Sequence, residues 1–447
     1  MQYMRWLFSI IIFYSIMLPV YSQTKENIIN ELISINTSVT KIPCSTGNTP
    51  VISNRGMNVF LADKTGYLSE SSDLSFYTNY VTFNSADGRF TINHNFEKAK
   101  GIDEPIKKLF NVGIYAGVAN SFGATFLDKK FENELGVTVN YKWIGKVKTY
   151  LSGCQQTQNG LNQQQAMDAL RAAILHSLEM EINKKIADFT TAINAIDSTD
   201  IPGQNASAAK SLMRQDFYED LYEEYAEKFA KLQAATLTNT NNFKLITTGW
   251  TSVTASLPLV FPKFIVADSL TGTFQEKHPY PLEVSLSHTR LWESSIAGRF
   301  FLTIYGNVLF NNSKLSHALD KTNFTDYANM GGTDTLHLAG LKNDKVYIGN
   351  YKTYITPSVK GRLVYFPPDS HVGVSFLLEQ NFGNYNLLNG RLGIPVVLIN
   401  SKKLPAANFE FYVLFFDMND KIESSRKYGN TISIGLHIGI PFSRLIY

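Results

Sequence analysis

From Asn430 to Tyr447 the chain alternates. Ile432, Ile434, Leu436, Ile438 and Ile440 occupy one set of positions, and Thr431, Ser433, Gly435, His437 and Gly439 the other. A period of two gives a strand with unlike faces. The same period recurs upstream. Two aromatic-rich runs, SDLSFYTNYVTFNS and GRFTINHNF, meet at Asp87-Gly88, a hairpin signal. LFNVGIYAGVAN puts Val112, Ile114, Ala116 and Val118 on one face, and ELGVTVNYKWIG does the same for Leu135, Val137, Val139 and Tyr141. From Phe243 to the end, eight further runs carry the strand period, separated by polar loops such as DYANMGGTDT.

Between 161 and 237 the period changes. Met167, Leu170, Ile174, Leu178, Ile182, Ile186, Phe189, Ile193 and Ile196 are spaced by threes and fours and predict one long amphipathic helix. Pro202-Gly203 breaks the pattern, and a second helix carries Leu221, Tyr225, Phe229 and Leu232 on one stripe. The pair predicts an inserted helical hairpin. Its stripes have two possible covers: each other, or a docked partner protein. Residues 23–70 show no clear periodicity.

The faces of the strands decide the class. In GRFFLTIYGNVLF, Phe300, Leu302, Ile304, Val308 and Phe310 oppose Phe301, Thr303, Tyr305, Asn307 and Leu309. In HVGVSFLLEQNF, Val372, Val374, Phe376 and Leu378 oppose Gly373, Ser375, Leu377 and Glu379. Lysine and arginine are sparse inside these runs, where the wet face of a soluble sandwich would carry them. Several runs reach the roughly 9–11 residues of a membrane-crossing strand. Phe243, Trp292, Tyr365, Phe366, Phe415 and Phe416 stand near run ends, as in interfacial aromatic girdles. The pattern therefore predicts an all-β transmembrane antiparallel barrel of about twelve strands, within roughly 10–14, carrying an inserted helical hairpin.

Composition agrees. Charged residues make up 18% of the 447, against 13% aromatic, where soluble domains average about 25% charged. Net charge is +3 without a basic cluster, which leaves no electrostatic support for a nucleic-acid partner. At the N-terminus, Arg5 precedes an apolar run from Trp6 to Leu18, and Val20 and Ser22 are the small residues before Gln23. This reads as a signal peptide, residues 1–22, cleaved after Ser22. The organisation that follows is an N-terminal segment at 23–70, either periplasmic or a lumen plug, and a barrel at 71–447 interrupted by the 161–237 insert.

With its signal, alternating strands and aromatic C-terminus, the chain resembles Gram-negative outer-membrane β-barrel proteins. Ile432, Ile434, Leu436, Ile438 and Tyr447 carry the resemblance, and the Phe-, Tyr- and Asn-rich style is similar to those of the Bacteroidota. The resemblance implies outer-membrane lipids as surroundings and recognition of the last strand by the barrel-assembly machinery. On this reading Ile432, Ile434, Leu436 and Ile438 face lipid, and Thr431, Ser433 and His437 face the lumen. Pro441 lacks a ladder donor, so the strand is expected to loosen there and leave FSRLIY as an interfacial tail. Cys44 and Cys154, the two cysteines, form a candidate disulfide in an oxidising periplasm, with two separate thiols as the alternative. Four predicted strands precede the insert. That even number places the hairpin on the N-terminal, periplasmic side, where a periplasmic or membrane protein could dock on it.

Candidate chemistry is thin. There is no HExxH, no CxxC and no phosphate-binding glycine loop. The nearest nucleophile-and-base sets are Ser287-His288 with Glu293, and Ser316-His317 with Asp320, and neither matches an outer-membrane hydrolase motif. No cofactor or metal is expected. The expected function is a channel, transport or secretion-associated component with a helical docking element. A surface-binding or structural barrel without conductance is the alternative, and an outer-membrane lipid hydrolase the third reading.

Overall fold

The computed structural model describes residues 28–40, 51–68, 78–85, 89–96, 103–117, 126–127, 130–131, 135–151, 163–196, 206–240, 243–260, 264–267, 275–278, 280–312, 320–326, 342–348, 352–383, 386–400, 405–421 and 432–444. The signal peptide, Cys44, Cys154, Ser316, His317 and Thr431 lie outside them.

Twelve antiparallel strands close into a barrel. In chain order they are β1 (Thr78–Asn84), β2 (Arg89–Phe96), β3 (Lys108–Gly117), β4 (Leu135–Ile144), β5 (Leu245–Val260), β6 (Leu282–Ser294), β7 (Gly298–Asn312), β8 (Tyr354–Phe366), β9 (Val374–Asn381), β10 (Leu388–Ile399), β11 (Pro405–Phe415) and β12 (Ile432–Arg444). Each pairs with its chain neighbours, and β12 closes on β1 with Phe83 opposite Ile438. A thirteenth strand, Lys148–Tyr150, continues along β5 after β4 ends.

Across the middle of the barrel, alternation turns the strands' aliphatic set outward. Ile304, Val374 and Ile434 are 55%, 59% and 83% exposed, whereas the adjacent Thr303 and Ser375 and the nearby His437 are 2%, 6% and 4% exposed. Large aliphatics on the outside and buried polar groups within invert the order of a soluble sandwich. Lipid is the medium that solvates such a surface.

The end of β12 differs from expectation. The strand continues to Arg444. The proline is absorbed by a register shift, with Tyr80 opposite Pro441 and Asn79 opposite Ser443. Phe442 is the extra residue, and a bulge accommodates the missing donor without ending the ladder. The aromatic girdle is also smaller than expected. Phe243 and Phe366 are buried, at 2% and 1% exposure, in the core at the barrel mouth. Phe300 stacks on Tyr365 at 4.4 Å on the outer face.

The two ends of the barrel are unlike. At the end where β1 begins, β6 and β7 join through 295–297, and β8 and β9 through 367–373. The opposite end carries the longer 261–281, 313–353 and 416–431 connections. Four short strands there, Gln275–Lys277, Phe264–Ala267, Lys342–Ile348 and Asp320–Asp326, form a separate sheet.

Helices gather at the β1-entry end. They are α1 (Ile28–Thr40), α2 (Asn54–Thr65), α3 (Gln163–Ala195) and α4 (Ala206–Thr240). The last two form the expected hairpin. Lys185 pairs with Glu224 at 2.6 Å, Lys228 pairs with Glu181, and Phe189 stacks on Phe217. The stripes are covered by more than each other. Ile28, Leu32 and Ile35 of α1 complete a core with Leu178, Ile182, Leu221, Tyr225 and Phe229. Leu232, expected on the apolar stripe, is exposed, and Ala230, Ala234 and Leu237 are buried in its place. That face covers α2.

Candidate functional site

The lumen is built in three levels. At the β1-entry end, α2 occupies the mouth. Met57, Val59, Phe60 and Leu61 join the inward-facing Trp250, Leu291, Phe301, Val364 and Val397 on one side, and Ala230, Ala234 and Leu237 of α4 on the other. Phe60 and Leu61 are both 0% exposed, and Phe60 meets Phe243 edge to face at 6.0 Å.

Polar contacts fix the helix at both ends. Ser53 is its N-cap, and Ser53 Oγ accepts from the Gly56 N–H at 3.0 Å. Gln233 Oε1 of α4 accepts from Ser53 N at 2.9 Å and from its hydroxyl at 2.6 Å. Asp103, in the β2–β3 turn, accepts from the Arg55 N–H at 3.1 Å. Burial pushes the Asp103 carboxyl above its ordinary range, and the hydrogen bonds from Arg55 and Asn54 oppose the shift. At the C-terminal end, Lys64 Nζ lies 3.4 Å from Glu293 Oε1 of β6, and the guanidinium of Arg299, on adjacent strand β7, donates to Glu293. The Arg299 guanidinium also covers the Tyr67 ring at 3.9 Å, and Tyr67 Oη sits 2.9 Å from His371 Nδ1. Asn408 of β11 donates to the Gly66 and Leu68 carbonyls.

Above α2 the lumen is polar and buried. Glu410 accepts from Arg362 at 3.2 Å and from the Ser375 hydroxyl, and the Arg391 guanidinium lies 3.8 Å away. The carboxylate is thus held by two cations and a hydroxyl, which a buried charge requires.

The third level is a cavity of about 470 Å³ reaching the long-loop end. Strands β1 to β5 give it Thr82, Asn93, Asn111, Asn140 and Thr254, with Arg89 the charged group on that side. Strands β6 to β10 supply Glu283, Asn307, Lys360, Glu379 and Arg391. Internal bonds hold most of these. Asn307 donates to Glu283 at 2.9 Å, Lys360 pairs with Glu379 at 3.4 Å, Asn140 donates to Thr254, and Arg89 stacks over Tyr115 at 4.1 Å. Asn93 Nδ2, Asn140 Oδ1 and Asn307 Oδ1 are buried without a protein partner.

His437 lines this cavity. Ser433 lies near the loop end of β12 and is exposed. Ile432 and Ile434 are exposed on the outer face, and Leu436 and Ile438 are half-buried. The Ser287-His288-Glu293 set is not brought together. Ser287 points inward, His288 lies outward beside Thr251, and Glu293 belongs to the Lys64–Arg299 cluster. Among the described residues no group of acidic, histidine or cysteine side chains is arranged for a metal.

The lumen amides and the Lys64–Glu293–Arg299 cluster were not singled out from sequence. Parity was an available signal, since Thr91, Asn93 and Asn95 alternate with apolar or outward residues in RFTINHNF. The ion cluster had none, because its members are 229 and 6 residues apart in sequence (293 − 64 and 299 − 293).

No family model matches the chain, and no curated protein matches it. Among solved structures, the chain is similar to OmpTdeltaL8, a loop L8 deletion mutant of OmpT, an outer membrane protein of Vibrio cholerae. Identity is 8%, coverage is 82% of this chain and 97% of that one, and the TM-score is 0.24. It is also similar to the CymD monoaromatic hydrocarbon channel, at 9% identity, with 85% and 93% covered and a TM-score of 0.24.

Proposed function

We propose that the chain is an outer-membrane barrel of the transport class, held closed at rest by α2 acting as a plug. The observation that carries this reading is the stacking of a polar cavity on an apolar seal. The upper lumen offers amides, hydroxyls and paired charges to a polar solute. The mouth below is shut by a helix with Phe60 and Leu61 fully buried. Outer-membrane barrels keep short turns on the periplasmic side and longer loops outside. The tight 295–297 turn and the helices share one end, so the helical unit belongs to the periplasm. The signal peptide cleaved after Ser22 and insertion by the barrel-assembly machinery are part of the same reading.

Opening then requires a force on α2. Because α4 covers α2 directly through Ala230, Ala234 and Leu237, a periplasmic or membrane partner bound to the hairpin would act on the plug. The rival reading is a surface-binding or structural barrel that never conducts, and the tight seating of α2 favours it. Lipid hydrolysis gains no support from Ser287, His288 and Glu293, because His288 lies on the outer face, away from the other two.

Planar-bilayer recordings separate the two readings. Wild type is expected to be silent, and the chain lacking residues 51–68 to conduct. Silence from a folded 51–68 deletion would leave the non-conducting reading standing. Copurification with and without 161–237 tests the docking role, and equal recovery of partners from both would remove it.

A further inference from the structure

We propose that the β1–β5 wall of the upper cavity is a binding site for a neutral, polyhydroxylated solute of sugar size. This names the solute class for the transport reading and rests on it for physiological meaning, though binding itself is measured independently.

The argument is one of complementarity. Asn93 and Asn140 are 3% and 4% exposed, and both line the cavity. Asn93 presents an unused donor, Nδ2, and Asn140 an unused acceptor, Oδ1. Across the lumen Asn307 adds a second unused acceptor, its own amide nitrogen being committed to Glu283. Buried amide atoms without partners are costly, so a ligand that satisfies them is favoured. A small ion cannot serve both kinds: an anion accepts only, and a cation donates only. A hydroxyl both donates and accepts, so a polyol carries on one frame both kinds of group that these atoms lack.

The charges of the lining point the same way. Lys360 faces Glu379 at 3.4 Å, Glu283 is engaged by Asn307, and Arg391 lies beside Glu410. Arg89, stacked over Tyr115, is the charged group of the opposite wall, and Glu283 is an acid across from it. Acidic and basic groups nearly balance, so the lining offers little net attraction for an ion of either sign. The volume, about 470 Å³, lies within the roughly 300–1,000 Å³ of small-molecule sites.

The test is equilibrium dialysis on the purified full-length protein in detergent micelles. The neutral probes are glucose, sucrose, maltose and sorbitol, and the charged ones succinate and putrescine. Saturable one-to-one binding of at least one neutral probe is expected, with both charged probes at least tenfold weaker. Asn93→Leu and Asn140→Leu should each weaken the neutral probe at least tenfold, with folding checked by heat-modifiable gel mobility. If a leucine variant does not fold, the near-isosteric Asn93→Asp, which turns the unused donor into an acceptor, replaces it and should weaken binding in the same direction. Tighter binding of succinate or putrescine, no saturation by any neutral probe, or variants that bind like wild type would each overturn the proposal. The transport reading fails separately, through silence of the 51–68 deletion in bilayers, and would leave the binding result intact.

Discussion

Loosening α2 in graded steps should open the barrel in graded steps. Met57, Val59, Phe60 and Leu61 are 7%, 3%, 0% and 0% exposed, and burying each is worth about 1.5–3 kcal/mol. Together they hold the plug by about 6–12 kcal/mol. At about 1.4 kcal/mol per tenfold, the open fraction is then below about 10⁻⁴. Phe60→Ala removes the edge contact with Phe243 and costs about 3–5 kcal/mol, and Leu61→Ala about 2–5 kcal/mol. The single Phe60 variant should therefore raise open probability by roughly 10²- to 4 × 10³-fold. The double variant should bring open and closed states within reach of each other. Single-channel recording in planar bilayers reads both, with heat-modifiable gel mobility confirming an intact barrel. Brief openings in Phe60→Ala and long ones in the double variant are expected. A folded double variant as silent as wild type would mean that the apolar seating of α2 is not what closes the lumen.

Four other perturbations probe separate parts of the structure. Glu293→Gln leaves Lys64 and Arg299 facing each other in the mouth, at about 3–5 kcal/mol for a broken buried pair. Hydrogen exchange across 54–65 should accelerate, and unchanged protection would count against the latch. Ile438→Lys puts a cation on the outer face at mid-strand and should cost about 2–4 kcal/mol in urea unfolding from vesicles, whereas a neutral result would mean that face meets water. Gly113 lies beneath Asn93, and a Cβ there would collide with Asn93 Oδ1 and Thr138 Oγ1. Gly113→Ala should lower stability by about 1–3 kcal/mol and disturb the cavity wall, and an unchanged melting temperature with unchanged binding would contradict that packing. Burial raises the Asp103 carboxyl, so the folded state holds this proton more tightly than the unfolded one. Its contribution is complete below the unfolded value near 3.8 and is lost as pH rises through the folded value. Unfolding midpoints taken from pH about 4 to about 7 should fall more steeply in wild type than in Asp103→Asn, and parallel curves would disprove the assignment.

How α2 is held explains why it escaped a reading of periodicity. A helix shows a stripe when one side meets water. Here Gly56 through Ala62 are all buried, between the barrel wall and α4, so no stripe exists to be read. The first helix does carry a stripe, with Ile28, Leu32, Ile35 and Val39 at helical spacing, so the expectation of no periodicity over 23–70 overlooked a signal that is present there. Aromatics at strand ends usually meet the interface, and Phe243 and Phe366 depart from that rule. Their rings instead turn toward α2 and Tyr67, a choice that depends on what fills the mouth.

The sequence by itself determined the faces of the strands, the period change at the hairpin and the approximate strand number. A strand between lipid and a polar lumen has two solvents, and alternation records both at every second residue. Tertiary structure decided what the lumen contains. Closure of β12 on β1, the seating of 54–65 in the mouth and the meeting of Lys64 with Glu293 are contacts between residues distant in the chain. Local periodicity carries no record of them, because each residue's own face is satisfied whichever distant partner arrives.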